Sequence, residues 1–217
     1  MESIKSYVIR RGRMTAGQRN AMNRLWPIYG IEDLDIEINL QKVFQRSGSL
    51  TVEIGFGNGE NITYSAMQNT NTNFLGIEVY DPGIGHCMLE AERLCLDNLR
   101  IIKSNAVEVF RKNLPNNSID CVNLFFPDPW HKKRHNKRRL VQTEFISLIL
   151  DKLKTQGVFH VVTDWPNYAE HIEFLMKANS GFRLLKEIPM ERITSKFDRR
   201  GAKLGHKNWE RAWEKII

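Results

Sequence analysis

The run Glu53-Ile54-Gly55-Phe56-Gly57-Asn58-Gly59 joins a carboxylate to three glycines at alternate positions. Glycines in this pattern let a backbone turn sharply and approach a ligand closely, with the amides of a following helix start nearby. The spacing is G-x-G-x-G, one residue short of the G-x-G-x-x-G of dinucleotide sites. An acid two residues before the first glycine can also hold an ammonium group. S-adenosylmethionine carries such a group and NAD does not, so the turn leans toward the methyl donor. Glu78, 19 residues beyond Gly59, is placed to accept two hydroxyl protons of a ribose. Asn105 can serve adenine's N6 amine together with a ring nitrogen, and it is equally suited to cap a helix.

A second stretch, FFPDPWHKKRHNKRRLV at 125–141, sets Asp128 between two prolines and directly before six cations, with no acid among them. Prolines fix their own φ and bias the preceding residue away from helix, so Asp128 has little backbone freedom. Trp130 offers a flat face on which a base can stack. Lys132, Lys133, Arg134, Lys137, Arg138 and Arg139 suit the phosphates of a polyanion. A rigid loop whose Asp merely caps the next helix would leave those cations without a use. His131 and His135 stand four apart, a spacing that on a helix can bring two imidazoles to one metal. The surrounding cations oppose a divalent ion and no third ligand is evident, so no metal is expected.

Composition narrows the class. With 217 residues, 41% hydrophobic and 26% charged, the chain suits one soluble globular domain. No apolar segment approaches the roughly 20 residues that cross a bilayer, so no membrane association is expected. The N-terminus has basic residues but no apolar core of a secretory signal, and its arginines leave a mitochondrial presequence as a weaker alternative. Three cysteines without C-x-x-C spacing argue against a disulfide framework and fit a reducing cytoplasm. The net charge of +7 is unevenly spread. Residues 1–24 carry six basic and one acidic residue, 131–139 six and none, and 191–217 eight and four. Three basic segments on an otherwise acidic chain are the footprint of a nucleic-acid binder.

The elements that must position these residues follow from periodicity. LTVEI (50–54), NFLGIEV (73–79), LRIIK (99–103), IDCVNLFF (119–126), GVFHVVT (157–163) and GFRLLKEI (181–188) read as strands. Helical spacing begins near Glu60, recurs over 84–96, and fills 140–153. Alternating strands and helices give an α/β fold with a mainly parallel sheet covered on both faces. In such a sheet ligands bind beyond the carboxyl ends of the strands, which places Asp128 at the lip of the pocket. Residues 1–45 lack the alternation and read as a basic N-terminal extension, partly flexible, before a domain over 46–217.

FFPDPWHKKRHNKRRLV resembles the signature of the bacterial single-chain tRNA (guanine-N7)-methyltransferases. VEIGFGNGENI, GIEVYDPG, VTDWPNYAEH and TSKFDRRGAKLGH match that family's motifs in order, and RRGRMTAGQ resembles its N-terminal segment. The resemblance implies a Rossmann-like class I methyltransferase moving methyl from S-adenosylmethionine to N7 of a guanine in the variable loop of tRNA. It assigns Glu53, Gly55, Gly57, Gly59, Glu78, Asn105 and Asp128 to the methyl donor, with Asp128 also catalytic. Lys132, Arg134, Arg138, Asp164, Ser195, Lys196 and Asp198 are implied to contact substrate. Asn105 stands where Asp is common in the family, and Ser195 and Asp198 where Thr and Glu are common. Rival readings are a nicotinamide-dependent oxidoreductase, which has no use for the basic tract, and a non-catalytic RNA-binding subunit, indifferent to the pocket acids. Monomer and homodimer both remain open.

Overall fold

The structure is a computed structural model that describes residues 6–7, 12–32, 34–189 and 191–217. Five short apolar runs form parallel strands: β1 Ser49–Ile54, β2 Thr72–Glu78, β3 Leu99–Lys103, β4 Ile119–Phe125 and β5 Leu153–Thr163. Two further strands, β6 Phe182–Leu184 and β7 Trp209–Lys215, complete the sheet in the order β3-β2-β1-β4-β5-β7-β6. β7 runs antiparallel between β5 and β6. The winding reverses between β1 and β4, so the two strands part at their carboxyl ends and leave a crevice there.

Side chains alternate across the sheet into two apolar clusters. Phe74, Leu99 and Ile101 pack with Ala21, Leu25, Ile62, Ala66, Ile84 and Met88. These helical residues come from α1 Ala16–Tyr29, α3 Glu60–Gln68 and α4 Asp81–Arg93. Leu75, Ile77 and Ile102 face the other cluster with Val109, Phe110, Phe145, Ile149 and Ile172. Those residues lie on α5 Ala106–Lys112, α6 Thr143–Lys152 and α7 Pro166–Lys177. The sheet is therefore covered on both faces, as the alternation of runs requires.

Residues set apart in the sequence as an extension contribute to this packing. Thr15 and Gln18 form a reciprocal capping box at the start of α1, and Ala21, Leu25 and Tyr29, four apart, bury one stripe. Phe44, at the end of the short helix α2 Leu40–Phe44, also enters the core. Residues 1–5 and 8–11, including Lys5, Arg10 and Arg11 of the first basic segment, lie outside the described residues. Two strands differ from the ranges expected from the sequence by more than one residue. β5 starts at Leu153, where Ile119 pairs with it, and β6 spans only three residues, although Leu185 N still donates to Ala212 O of β7 at 2.9 Å. β7 was not anticipated at all.

Candidate active site

A cleft of about 510 Å³ opens over the carboxyl ends of β1, β2 and β4. At its floor Glu53 is buried and accepts a hydrogen bond from Asn61 Nδ2 at 2.7 Å. Burial pushes its carboxyl up to about 7, Asn61 opposes the shift, and the charge of Glu78 adds to it. Glu78 accepts from the amides of Gly57 (2.9 Å), Val79 (2.6 Å) and Tyr80 (3.0 Å). Burial raises its pKa, these amides oppose, and Asp128 contributes a further like charge. The bond to Gly57 ties the glycine turn to the end of β2. Gly55 and Gly57 adopt φ of +70° and +58° with open space where a side chain would stand, so the demand is conformational. Gly59 caps α3 at φ +83°, and a Cβ there would lie 2.5 Å from Cys87 Sγ. Asn105 caps α5 by accepting from Val107 N at 3.0 Å and also lines the cleft.

Asp128 lines the opposite lip together with Pro127. The chain enters the left-handed region on both sides of Pro127-Asp128-Pro129, at Phe126 (φ +50°) and Trp130 (φ +49°). Such residues cost about 1–3 kcal/mol each and persist only where their surroundings hold them. Arg139 supplies much of that hold. Its guanidinium donates to Pro129 O (3.0 Å), Asn167 O (3.3 Å) and Asn167 Oδ1 (2.7 Å), and sits 4.8 Å over the ring of Tyr168. At 3% exposure Arg139 is a brace for the loop, which corrects its assignment to phosphate. Trp130 lies outside the cleft lining. Its Nε1 donates to Ser6 O at 3.1 Å, Arg138 covers its face at 5.0 Å, and His135 meets it edge-on.

The third wall comes from residues 192–200, docked on the start of α3. Lys196 N donates to Glu60 Oε2 at 2.8 Å, and Ile193 N reaches Asn61 Oδ1 at 3.3 Å. Asn61 thus touches both Glu53 and this wall. Arg192 donates to Asp198 Oδ1 (2.7 Å) and Glu210 Oε1 (3.3 Å), and lies over Phe125 and Phe126 at 5.8 and 5.5 Å. His160 Nε2 stands 2.8 Å from the same Glu210 oxygen. Ser195 caps α8 Lys196–Lys203 and exchanges bonds with Asp198, whose other oxygen also accepts from Asn208 at 2.7 Å. Burial alone would raise the Asp198 carboxyl, but Ser195 and Arg192 outweigh it and hold the group low. Ser195 and Lys196 line the cleft, while Asp198 is buried behind them and orients the wall. Asp164, just past β5, lies outside the cleft lining, its Oδ2 2.7 Å from His206 Nδ1.

The basic tract forms a 3-10 turn over Lys133–Arg138 rather than an α-helix. Lys132, Lys133, Arg134, Lys137 and Arg138 are exposed along it. His131 packs on Trp165 at 4.2 Å and His135 on Trp130 at 5.9 Å, so the two rings do not converge. Asn61 and Arg192 are cleft residues that the sequence did not single out, while Phe197 lies inside the 195–198 segment implied to contact substrate. Arg192 was counted only as charge. Asn61 had a usable signal, since the first turn after a strand–glycine turn faces the strand's end.

The doubly wound sheet, its reversed edge and the acid-lined crevice define a Rossmann-like methyltransferase. The chain superposes on the 16S rRNA methyltransferase KamB with a TM-score of 0.63 at 12% identity, covering 88% of this chain and 99% of that one. An antibiotic-related methyltransferase gives 0.56 at 20% identity, covering 86% and 97%. A family model described as putative methyltransferase matches residues 47–211. Proteins named tRNA (guanine-N(7)-)-methyltransferase from Salmonella typhimurium and Serratia proteamaculans are 44% and 45% identical. These alignments cover 100% and 99% of this chain and 93% and 92% of those proteins. The chain belongs to the tRNA (guanine-N7)-methyltransferase family.

Proposed function

We propose that this protein transfers a methyl group from S-adenosylmethionine to N7 of a guanine in the variable loop of tRNA. The observation that carries the reading is the convergence of Glu53, Glu78, Asn105 and Asp128 on one cleft, with an exposed cationic tract beginning four residues after Asp128. The cleft fits the donor. Glu53 is a buried acid suited to an ammonium, and Glu78 closes β2 beside the glycine turn, where a ribose diol would be met. Asn105 lies beyond β3 for the adenine. When bound, the donor supplies a methyl carbon made electrophilic by its sulfonium.

Guanine N7 has an in-plane lone pair and no proton, so the chain need not provide a general base. Its task is to bring N7 into line with the methyl and to favour positive charge on the purine. Asp128, fixed by its prolines and the Arg139 brace, offers a carboxylate at the lip for either charge stabilisation or acceptance from the guanine edge. Lys132, Arg134 and Arg138 would hold phosphates outside. Ser195 and Lys196 would meet the nucleotide from the facing wall, with Asp198 orienting them. Asp164 would contact RNA beyond the cleft, held by His206.

The test is chemical mapping. Purified protein, unmodified tRNA and labelled donor are incubated together, and the product is cleaved with borohydride and aniline, which cut at 7-methylguanosine. A single cut in the variable loop is expected. Label incorporated elsewhere, or none without a partner chain, would overturn the reading.

A further inference from the structure

We infer that Phe197 is the stacking platform for the target purine, a role that rests on the proposed methylation of RNA. Trp130, where the sequence suggested a stacking face, lies outside the cleft lining with Arg138 over its ring, whereas Phe197 lines the cleft itself. Phe197 lines the cleft on the first turn of α8 and is 42% exposed, beside the half-buried Phe126 that precedes Pro127-Asp128. Its ring meets Phe126 at 5.2 Å with a tilt of 35°. Phe126 in turn packs with the Arg192 guanidinium, which Asp198 and Glu210 fix in place.

The platform is therefore built. Arg192, Phe126 and Phe197 form one continuous contact chain from the buried ion pairs to the cleft wall. A purine drawn out of an RNA stack finds in such an exposed ring a flat face to stack on. Neighbouring Lys196 and Arg200 also line the cleft and would meet the nucleotide's phosphates. Phe197 sits next to the α8 start that docks on Glu60 and Asn61, at the ammonium end of the donor site and away from Asn105. That position favours the acceptor base over the donor's adenine.

Phe197→Leu keeps the apolar contact with Phe126 but removes the ring, while Phe197→Tyr and Phe197→Trp keep one. For tRNA methylation the Leu variant is expected to lose about 5- to 150-fold in kcat/KM, the range for one base–aromatic stack. The Tyr and Trp variants should stay within about threefold of wild type on the same scale. Affinity for S-adenosylhomocysteine, the melting temperature and the salt dependence of RNA binding should not move in any of the three, since no charge, cap or donor contact is altered. A Leu variant as active as wild type would overturn the inference, and so would a parallel loss of S-adenosylhomocysteine affinity. If the wild-type chain methylates no RNA, the functional reading falls first, so the two failures are distinct.

Discussion

Glu53→Gln separates the cost of burying an acid from its use. The Glu53 carboxyl is raised from 4.5 to about 7, chiefly by burial. The folded protein then holds the proton more tightly than the unfolded chain does, so stability falls as pH rises through that window. At roughly 1.4 kcal/mol per pKa unit, the cost reaches about 3 kcal/mol above the folded value. Glutamine has the same shape, still accepts from Asn61 Nδ2, and never ionises. Without donor, the Gln variant should be more stable than wild type at about pH 8, by up to about 3 kcal/mol, and nearly level at about pH 4.5. Binding should reverse the ranking. An ammonium needs the ionised acid, and losing a charged hydrogen bond of about 1.5–3 kcal/mol should weaken S-adenosylhomocysteine about 10- to 150-fold.

The wild type should also show an acid limb for this ligand. Its carboxylate forms only above about pH 7, so affinity should rise between about pH 6 and 8. At about pH 6 it should be about tenfold weaker than at about pH 8, and that acid limb should vanish in the Gln variant. Calorimetric titration with S-adenosylhomocysteine, paired with thermal unfolding over the same pH range, measures both effects. Equal ligand affinity in the two proteins, or a wild-type profile flat between about pH 6 and 8, would refute the reasoning.

Five exposed cations remain on the tract once Arg139 is counted as buried, so the tract should contribute about −3.5 to −4.5 to the logarithmic salt slope of tRNA binding. Replacing Lys133 and Lys137 with alanine should flatten it by about 1.4–1.8, as read by fluorescence anisotropy over a salt series. Arg139→Ala should behave differently. It leaves Pro129 O and Asn167 without their donor and should cost about 2–3 kcal/mol in denaturant unfolding, with the salt slope unchanged.

The strands that flank the crevice were legible because a parallel strand buried on both faces is a nearly unbroken apolar run, as in LTVEI and LRIIK. The glycine turn and the Pro-Asp-Pro lip were legible because each demands a residue type that few other settings require. β7 was not, since WERAWEK alternates charge with aromatics and is only partly buried, which reads as a solvated tail. α1 hid behind a narrow stripe of Ala21, Leu25 and Tyr29 and an internal Pro27. The direction of Arg139 was illegible for another reason. Nothing within HKKRHNKRR marks which guanidinium turns inward, because its partners Pro129 and Asn167 are brought together only by the fold. Arg192 likewise acquires its meaning from Asp198, Glu210 and the two phenylalanines, none adjacent in sequence.

The central claim is that Asp128 acts at the meeting point of donor and RNA while the donor is held elsewhere in the cleft. Single-turnover methyl transfer to tRNA by Asp128→Ala, alongside its affinity for S-adenosylhomocysteine, tests this most directly. Transfer should be abolished while ligand affinity stays within a few fold of wild type. Transfer at a near wild-type rate would contradict the account.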